Sequence, residues 1–512
     1  MPTANLLEIW NLPEMARWKR EVRRCFDAVS AIDPREGVFD EVKVRLNLQG
    51  SERAMERNHG EESERQRVPQ PLIKRRIASG RGAMEQPNVT HDGDAALTPV
   101  FWLSIVITGV LTGLFGAGLM ALLQFVEKLS FAYHGGSYQG AVAATSDPHR
   151  LTVLVLAGVI GAVSWYFVRR FMKNEKSEID DALWNGDGEL SLRRSVATSV
   201  ISEVVIGMGA SAGREAAPKL MGGATGSVLS HWLRLSSAQK RLLVACGGGA
   251  GLAAVYNVPL GGAIFTAEVM LGSFALPTVL TALACSSIAT FTAWLFLSSA
   301  PTYAHIPNYR FTSSIMVWSL FAGVVIGFLA VGYVRLLGWV AARRARGTSI
   351  LWRMPLAFAV VGILGFAYPQ LFGNGKDMAH DAFVGVGSAS LFFALFALKP
   401  LVTTLTLGSG AAGGVFTPFL ATGATLGGFL GLAWNHVWPG SPVGAFALIG
   451  AAAMIGAAMQ APLAGLVLVV ELTHSSLNLM IPIMVATTLA TLIVRHVDGY
   501  SIYSARLPGR GE

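Results

Sequence analysis

Long apolar runs separated by short polar connectors fill the chain from about residue 98 to residue 497. The runs at 98–126 and 315–340 can cross a bilayer, because a membrane-spanning helix needs about 20 mainly apolar residues. The runs at 242–256 and 259–271 are shorter and are interrupted by glycine. These uneven lengths predict an all-α membrane protein with broken, tilted and re-entrant helices rather than a simple up-and-down bundle.

Residues 1–97 differ in kind from the apolar region. They are rich in Arg and Glu, and they contain no apolar segment of the sort that marks a secretory signal. A segment of such low hydrophobicity predicts a polar, disordered N-terminal extension. The predicted order is therefore this extension, a membrane region over 98–497 and a short tail over 498–512.

A charged pair interrupts the apolar pattern in the segment Gly213-Arg214-Glu215-Ala216-Ala217-Pro218. Charges inside an apolar stretch are costly and indicate a functional site. Proline suits the first turn of a helix, so we expect one helix to end near Gly213 and another to begin near Ala217. The new helix would present free N–H groups and a partial positive charge to an anion, with Glu215 where that anion would otherwise lie.

The same pattern occurs a second time about 200 residues later. Gly413-Gly414-Val415-Phe416-Thr417-Pro418 lies at an offset of 413 − 213 = 200. The segment 258–262, followed by Glu268, recurs as 461–465, followed by Glu471, at an offset of 461 − 258 = 203. Broken helices at matching positions predict two inverted-topology repeats, over 98–300 and 301–497. Close helix packing alone would explain the glycines but not the matched prolines and glutamates.

The composition agrees with a polytopic membrane protein. Charged residues make up 14% of the 512 positions, against about 25% in soluble globular proteins. The net charge of +8 suits basic loops beside a lipid bilayer and calls for no nucleic-acid partner. The three cysteines are too scattered for a disulfide framework. No His or Cys spacing indicates a metal site, and we expect no cofactor.

Two further features have competing interpretations. Glu268 and Glu471 end matched segments near a water boundary, which favours a structural or solvated role over a functional one. The stretch 209–213 fits the Gly-x-Ser-x-Gly pattern of serine hydrolases around Ser211. That pattern needs a preceding strand and a His partner, whereas this context is apolar and helical. An intramembrane hydrolase therefore remains only the weaker alternative, and we expect no enzymatic activity.

The combined motifs resemble the CLC family of chloride channels and chloride/proton exchangers. They are Gly-Arg-Glu at 213–215, Gly-x-Phe-x-Pro at 414–418, the twin Pro-Leu-x-Gly segments and Ile502-Tyr503-Ser504. The resemblance covers about 98–507 and is greatest to the bacterial ClcB-type voltage-gated branch. It implies the CLC-type fold, a homodimer with one pore in each subunit, and a multi-pass protein of the cell inner membrane with both termini cytoplasmic.

The resemblance also implies roles for individual residues. Glu215 matches the gating glutamate, whose carboxylate leaves an anion site when it is protonated or displaced. The amides of Val415 and Phe416 and the hydroxyl of Tyr503 match groups that bind the central chloride. The residues beside the gate are assigned to the anion site as well, with Arg214 as a source of positive potential; they are Gly213, Arg214 and Ala216.

Two positions depart from the family pattern. Asn174 occupies the place of an anion-binding serine, which predicts looser discrimination between chloride and nitrate than in a relative with the serine. Val269 occupies the position at which exchangers of the family generally have a proton-transfer glutamate. In having valine there, the chain is similar to the family's channels. The sequence therefore predicts a passive chloride channel gated by Glu215, with a chloride/proton exchanger of the same fold as the alternative.

Overall fold

The described part of the chain is almost entirely helical. A computed structural model describes residues 95–173, 175–176, 178–184, 186–475 and 477–507. Positions 1–94 of the predicted extension and Asn174 lie outside the described residues. The helices are α1 Pro99–Phe131, α2 Tyr138–Ala144, α3 Asp147–Phe171, α4 Ile179–Trp184, α5 Leu192–Gly207, α6 Ala216–Trp232, α7 Ser237–Tyr256, α8 Pro259–Phe265, α9 Leu276–Ala293, α10 Ser313–Ala342, α11 Ile350–Ala367, α12 Lys376–Val384, α13 Ala389–Gly408, α14 Phe416–Trp434, α15 Val443–Met459, α16 Pro462–Thr473 and α17 Met480–Val497.

Eight segments of the described chain are long and apolar enough to cross a membrane. They are α1, α3, α9, α10, α13, α14 and two segments that include a short turn before the helix, Gly347–Ala367 and Leu477–Val497. Large apolar side chains such as Leu103, Phe328 and Ile481 are exposed along these helices. Such surfaces suit contact with lipid rather than with water. The prediction of an all-α polytopic membrane protein is confirmed.

The two predicted breaks meet each other in space. Gly213 and Gly414 form an antiparallel bridge in which each N–H donates to the other's carbonyl at 2.7 Å. The helix before the first break ends at Gly207, earlier than the position near Gly213 that the sequence suggested, and the helix before the second break ends at Gly408. The reason is local, because Gly209 has a φ of +106° and its counterpart Gly410 a φ of +105°, which no α-helix accommodates.

The second pair of matched segments is joined by reciprocal helix caps. Glu471 accepts hydrogen bonds from the N–H groups of Leu260 (3.0 Å) and Gly261 (2.6 Å) at the start of α8. Glu268 does the same for the start of α16, where the amides of Leu463 and Ala464 lie 3.3 and 2.6 Å from its oxygens. Each carboxylate thus satisfies free N–H groups of the other segment. This geometry fits the structural role that the sequence favoured.

Related backbone geometry precedes both capped helices. Asn257 and Gln460 adopt left-handed conformations, with φ of +58° and +55°, and proline occupies the first turn that follows. The matching breaks, caps and turns support the division at 98–300 and 301–497, which stays a prediction. Tyr503 in the short tail is held near α15 by a hydrogen bond from the Ile502 N–H to the carbonyl of Ala458 at 2.8 Å.

We predict that the two caps contribute to stability. Glu471→Ala leaves the amides of Leu260 and Gly261 without their acceptor, so the protein should lose about 1–2 kcal/mol, as for other helix caps. Glu268→Ala should have a similar effect for the same reason. The measurement is the fraction of monodisperse protein that survives heating in detergent. Glu189→Ala, which removes only an exposed ion pair, is the control, and equal losses in all three variants would contradict the prediction.

Candidate functional site

The carboxylate of Glu215 lies in a cradle formed by both breaks. Glu215 immediately precedes α6, and the residue is 5% exposed. Its Oε1 accepts a hydrogen bond from the N–H of Phe416, the first residue of α14, at 2.7 Å. Among the described residues, no basic side chain forms an ion pair with it. The negative charge is therefore held by backbone dipoles and by the positive end of a helix, as a bound anion would be.

The cradle accepts a carboxylate only because two glycines line it. A Cβ at Gly213 would lie 2.2 Å from a carboxylate oxygen of Glu215, and a Cβ at Gly414 would lie 1.8 Å from one. Any side chain at either position would overlap the carboxylate. The residues that bridge the two breaks thus also shape the space for the negative group.

Two hydroxyl groups complete the cradle on the side of Oε2. The hydroxyls of Tyr256 and Thr417 lie 3.3 and 3.4 Å from this oxygen, and 2.6 Å from each other. One hydroxyl can therefore donate to the other while the second donates to the carboxylate. Neither residue is indicated by the sequence pattern. Thr417 stands at a variable position of its motif, and Tyr256 looks like an ordinary core tyrosine at a helix end.

A large cavity of about 620 Å³ reaches the cradle from one side. Several predicted site residues line it together, namely Glu215, Ala216, Val415, Phe416 and Tyr503. The basic residues of its lining are Arg169, Arg194, Lys219, Arg344, Arg346 and Arg506, and the acidic ones are Glu178, Asp180, Asp181 and Glu215. With ordinary charges these give 6 − 4 = +2. A cavity of this sign attracts anions and raises their local concentration.

Arg214 lies on another side of the gate. Its guanidinium stacks over the ring of Tyr256 at 5.1 Å, and it lines a separate small cavity of about 90 Å³ with Glu127 and Lys376. It makes no ion pair with Glu215 among the described residues. This placement agrees with a source of positive potential near a mouth, and it does not make Arg214 a ligand in the cradle.

Two other positions that the sequence singled out, Val269 and Asn174, do not form part of the described cradle. Val269 is buried in a π-helical turn, Thr266–Leu271, and does not belong to the described lining of the large cavity. Asn174 is not among the described residues, so its role in selectivity stays a prediction.

The surroundings of Ser211 do not match a hydrolase. Ser211 is fully buried, and the helix α5 rather than a strand precedes its turn. Its hydroxyl accepts a hydrogen bond at 3.0 Å from Lys399, whose ammonium also donates to the carbonyls of Leu371 and Gly373. Lys399 therefore links several segments through hydrogen bonds, and the Ser211 hydroxyl is one of its acceptors.

A family model described as the voltage gated chloride channel matches residues 160–495 of the chain. The chain belongs to this CLC family. The predicted family and its CLC-type fold are confirmed, and anion transport is the activity that membership supports.

Individual relatives carry different names. A putative chloride channel protein, ClcB-like, from Ralstonia nicotianae is 30% identical over 417 residues, which cover 78% of this chain and 96% of that protein. The H(+)/Cl(−) exchange transporter ClcA of Vibrio campbellii is 28% identical over 418 residues, which cover 78% of this chain and 87% of that protein. The solved structure of a slow cyanobacterial Cl⁻/H⁺ antiporter matches with a TM-score of 0.70 and 23% identity over 80% of this chain and 97% of the other. This last likeness shows the fold alone.

We predict that a methyl group at Gly414 blocks the cradle. In Gly414→Ala the new Cβ would occupy the space in which the carboxylate, and by inference a chloride ion, is held. Overpacking of this kind costs about 1–3 kcal/mol, so chloride flux in liposomes should fall roughly tenfold. Gly118→Ala is the matched control, because a Cβ there has no atom within 4 Å. Normal flux in Gly414→Ala would mean that anions do not use the cradle.

Proposed function

We propose that this protein carries chloride across a membrane in exchange for protons, with Glu215 as the group that serves both ions. The observation that carries the proposal is the position of the Glu215 carboxylate, which accepts the N–H of Phe416 at the start of α14. A helix N-terminus that holds a carboxylate can also hold a chloride ion. The side chain therefore acts as a tethered competitor of the transported anion.

Protonation gives this competitor its function. A neutral carboxylic acid no longer competes strongly for the amide of Phe416, so it leaves the cradle and chloride enters from the large cavity. When the proton is released on another side, the carboxylate returns and displaces the anion. The cradle uses partial charges rather than a full positive charge, which keeps binding weak enough for the ion to leave.

Two considerations support coupling to protons. Relatives such as the ClcA protein of Vibrio campbellii are named H(+)/Cl(−) exchange transporters. In addition, the carboxylate fills the cradle between Gly213 and Gly414, so anion passage and the protonation of Glu215 are linked at one place. An exchanger needs such a link, because each ion must depend on the movement of the other.

The passive channel that the sequence predicted is the second candidate. Val269 favours it, because this buried valine cannot carry a proton at the position where exchangers of the family have a glutamate. Some relatives, such as the ClcB proteins of Salmonella typhi, are named voltage-gated channels. The two candidates differ in proton movement and share the role of Glu215.

The remaining expectations belong to the same proposal. The protein forms a homodimer with a pore in each subunit and lies in the cell inner membrane with both termini cytoplasmic. Arg343, Arg344 and Arg346 follow α10, and basic loops favour the cytoplasmic side. The large cavity, which Arg344 and Arg346 help to line, then opens toward the cytoplasm.

We predict that Glu215→Gln makes chloride flux high and nearly independent of pH. Glutamine has the shape of the protonated acid but cannot gain or lose the proton, whereas wild-type flux should rise as the pH falls. The measurement is chloride efflux from liposomes between acidic and neutral pH. Glu471→Gln, which changes a carboxylate outside the cradle, is the control and should keep the wild-type pH profile. An unchanged profile in Glu215→Gln would remove the gate assignment.

We also predict that an outward chloride gradient drives protons uphill into liposomes that contain the wild-type protein. Proton and chloride movements are recorded together, and Glu215→Gln should abolish the coupled proton movement while chloride still flows. Chloride flux without any uphill proton movement in the wild type would favour the channel. Potassium flux without chloride flux would contradict both candidates.

A further inference from the structure

We propose that Lys219 is an anion-binding residue of the large cavity and that Asp180 is its built-in competitor. The pair would set how tightly chloride is held on its way to the cradle. This inference rests on the proposed chloride transport, and it does not depend on whether protons are exchanged. It concerns two side chains to which neither the motifs nor the gate mechanism assigns a role.

The position of Lys219 places its ammonium group beside the path to the gate. Lys219 lies four residues after Glu215 on α6, one helical turn further from the cradle, and both side chains line the large cavity. The Nζ atom lies 4.5 Å from the centre of the Tyr503 ring. An anion that enters the cavity and approaches the Glu215 carboxylate therefore passes close to this ammonium group.

Within the described part of the chain, the ammonium group forms an ion pair with one carboxylate. Its Nζ lies 3.0 and 3.2 Å from the two oxygens of Asp180 on the short helix α4. The side chains of Lys219 and Asp180 are 10% and 27% exposed, so the pair is enclosed by the cavity wall but still reachable. An ammonium has three N–H donors, and one carboxylate does not use all of them from one side.

A neighbouring donor lacks a strong partner. Among the described residues, the Tyr503 hydroxyl makes its hydrogen bond only to the Met459 sulfur, at 4.0 Å. A thioether is a weak acceptor. The resemblance already gives this hydroxyl a role in binding the central chloride, and an ion held there would also receive an N–H from Lys219.

In such a site the carboxylate of Asp180 would weaken the binding of chloride electrostatically. An unpaired ammonium in an enclosed cavity would hold chloride strongly, and conduction needs weak binding. Asp180 cancels this charge and competes with the anion for the same donors. Glu215 competes in the same way in the cradle, so two tethered carboxylates would weaken the binding of chloride along one path.

The test is a double-mutant cycle on chloride affinity. We expect Asp180→Asn to lower the chloride Kd about fivefold, because one unit of repelling charge is lost a few ångströms from the ion. Its maximal flux in liposomes should fall, since chloride leaves more slowly. Lys219→Gln should raise the Kd by a similar factor, and the double variant should return toward the wild-type value. Calorimetry in detergent gives the Kd.

The opposite signs distinguish this role from a structural one. A pair that only stabilises the fold would give single variants with affinity shifts in the same direction or with none, and either result would overturn the proposal. Asp180→Asn alone tests the sign if Lys219→Gln does not fold. Lys240→Gln is the matched control, because its ion pair with Glu189 has the same 3.0 Å distance but lies outside the cavity lining. Wild-type protein that binds no chloride would overturn the proposed function as well.

Discussion

The pair of hydrogen bonds between Gly213 and Gly414 is the contact on which the site depends. It joins two helix breaks that lie 201 positions apart in the sequence (414 − 213), each N–H donating to the other's carbonyl at 2.7 Å. Because of this contact, α6 and α14 both begin beside the Glu215 carboxylate. Either break alone would offer half a cradle. Their pairing explains why glycine is needed twice, since each glycine lacks the Cβ that would overlap the carboxylate.

Non-helical backbone inside a membrane protein must be satisfied by the protein itself. Here the satisfaction comes from a few long-range contacts. Glu268 and Glu471 cap each other's segments, and the fully buried Lys399 donates to the carbonyls of Leu371 and Gly373. These contacts give the broken elements hydrogen-bond partners within the protein.

Sequence reasoning predicted the features that local chemistry determines. Gly213 and Pro218 mark a break, an Arg-Glu pair in an apolar run marks a site, and the repetition near offset 200 marks a second copy. It did not predict partners that only the fold brings together. Tyr256 lies 161 positions before Thr417 (417 − 256), and nothing near it in the sequence points to a carboxylate. The helix end at Gly207 could not be predicted, because small and apolar residues follow it without interruption. The cause of the end is the positive φ of Gly209, which the sequence does not reveal.

The charged groups along the path explain how an anion site can attract ions and still bind them weakly. The wall of the large cavity carries more basic than acidic side chains, although some of them are paired, as Arg344 is with Glu178 at 3.6 Å. Lys219, one turn along α6 from Glu215, is paired with Asp180. In the cradle itself the described hydrogen bonds to the carboxylate come from one N–H and two hydroxyl groups. Attraction by whole charges thus brings anions in, and dipoles replace their hydration where they must be released again. A full positive charge in the cradle would bind Glu215 and chloride alike too tightly for either to displace the other.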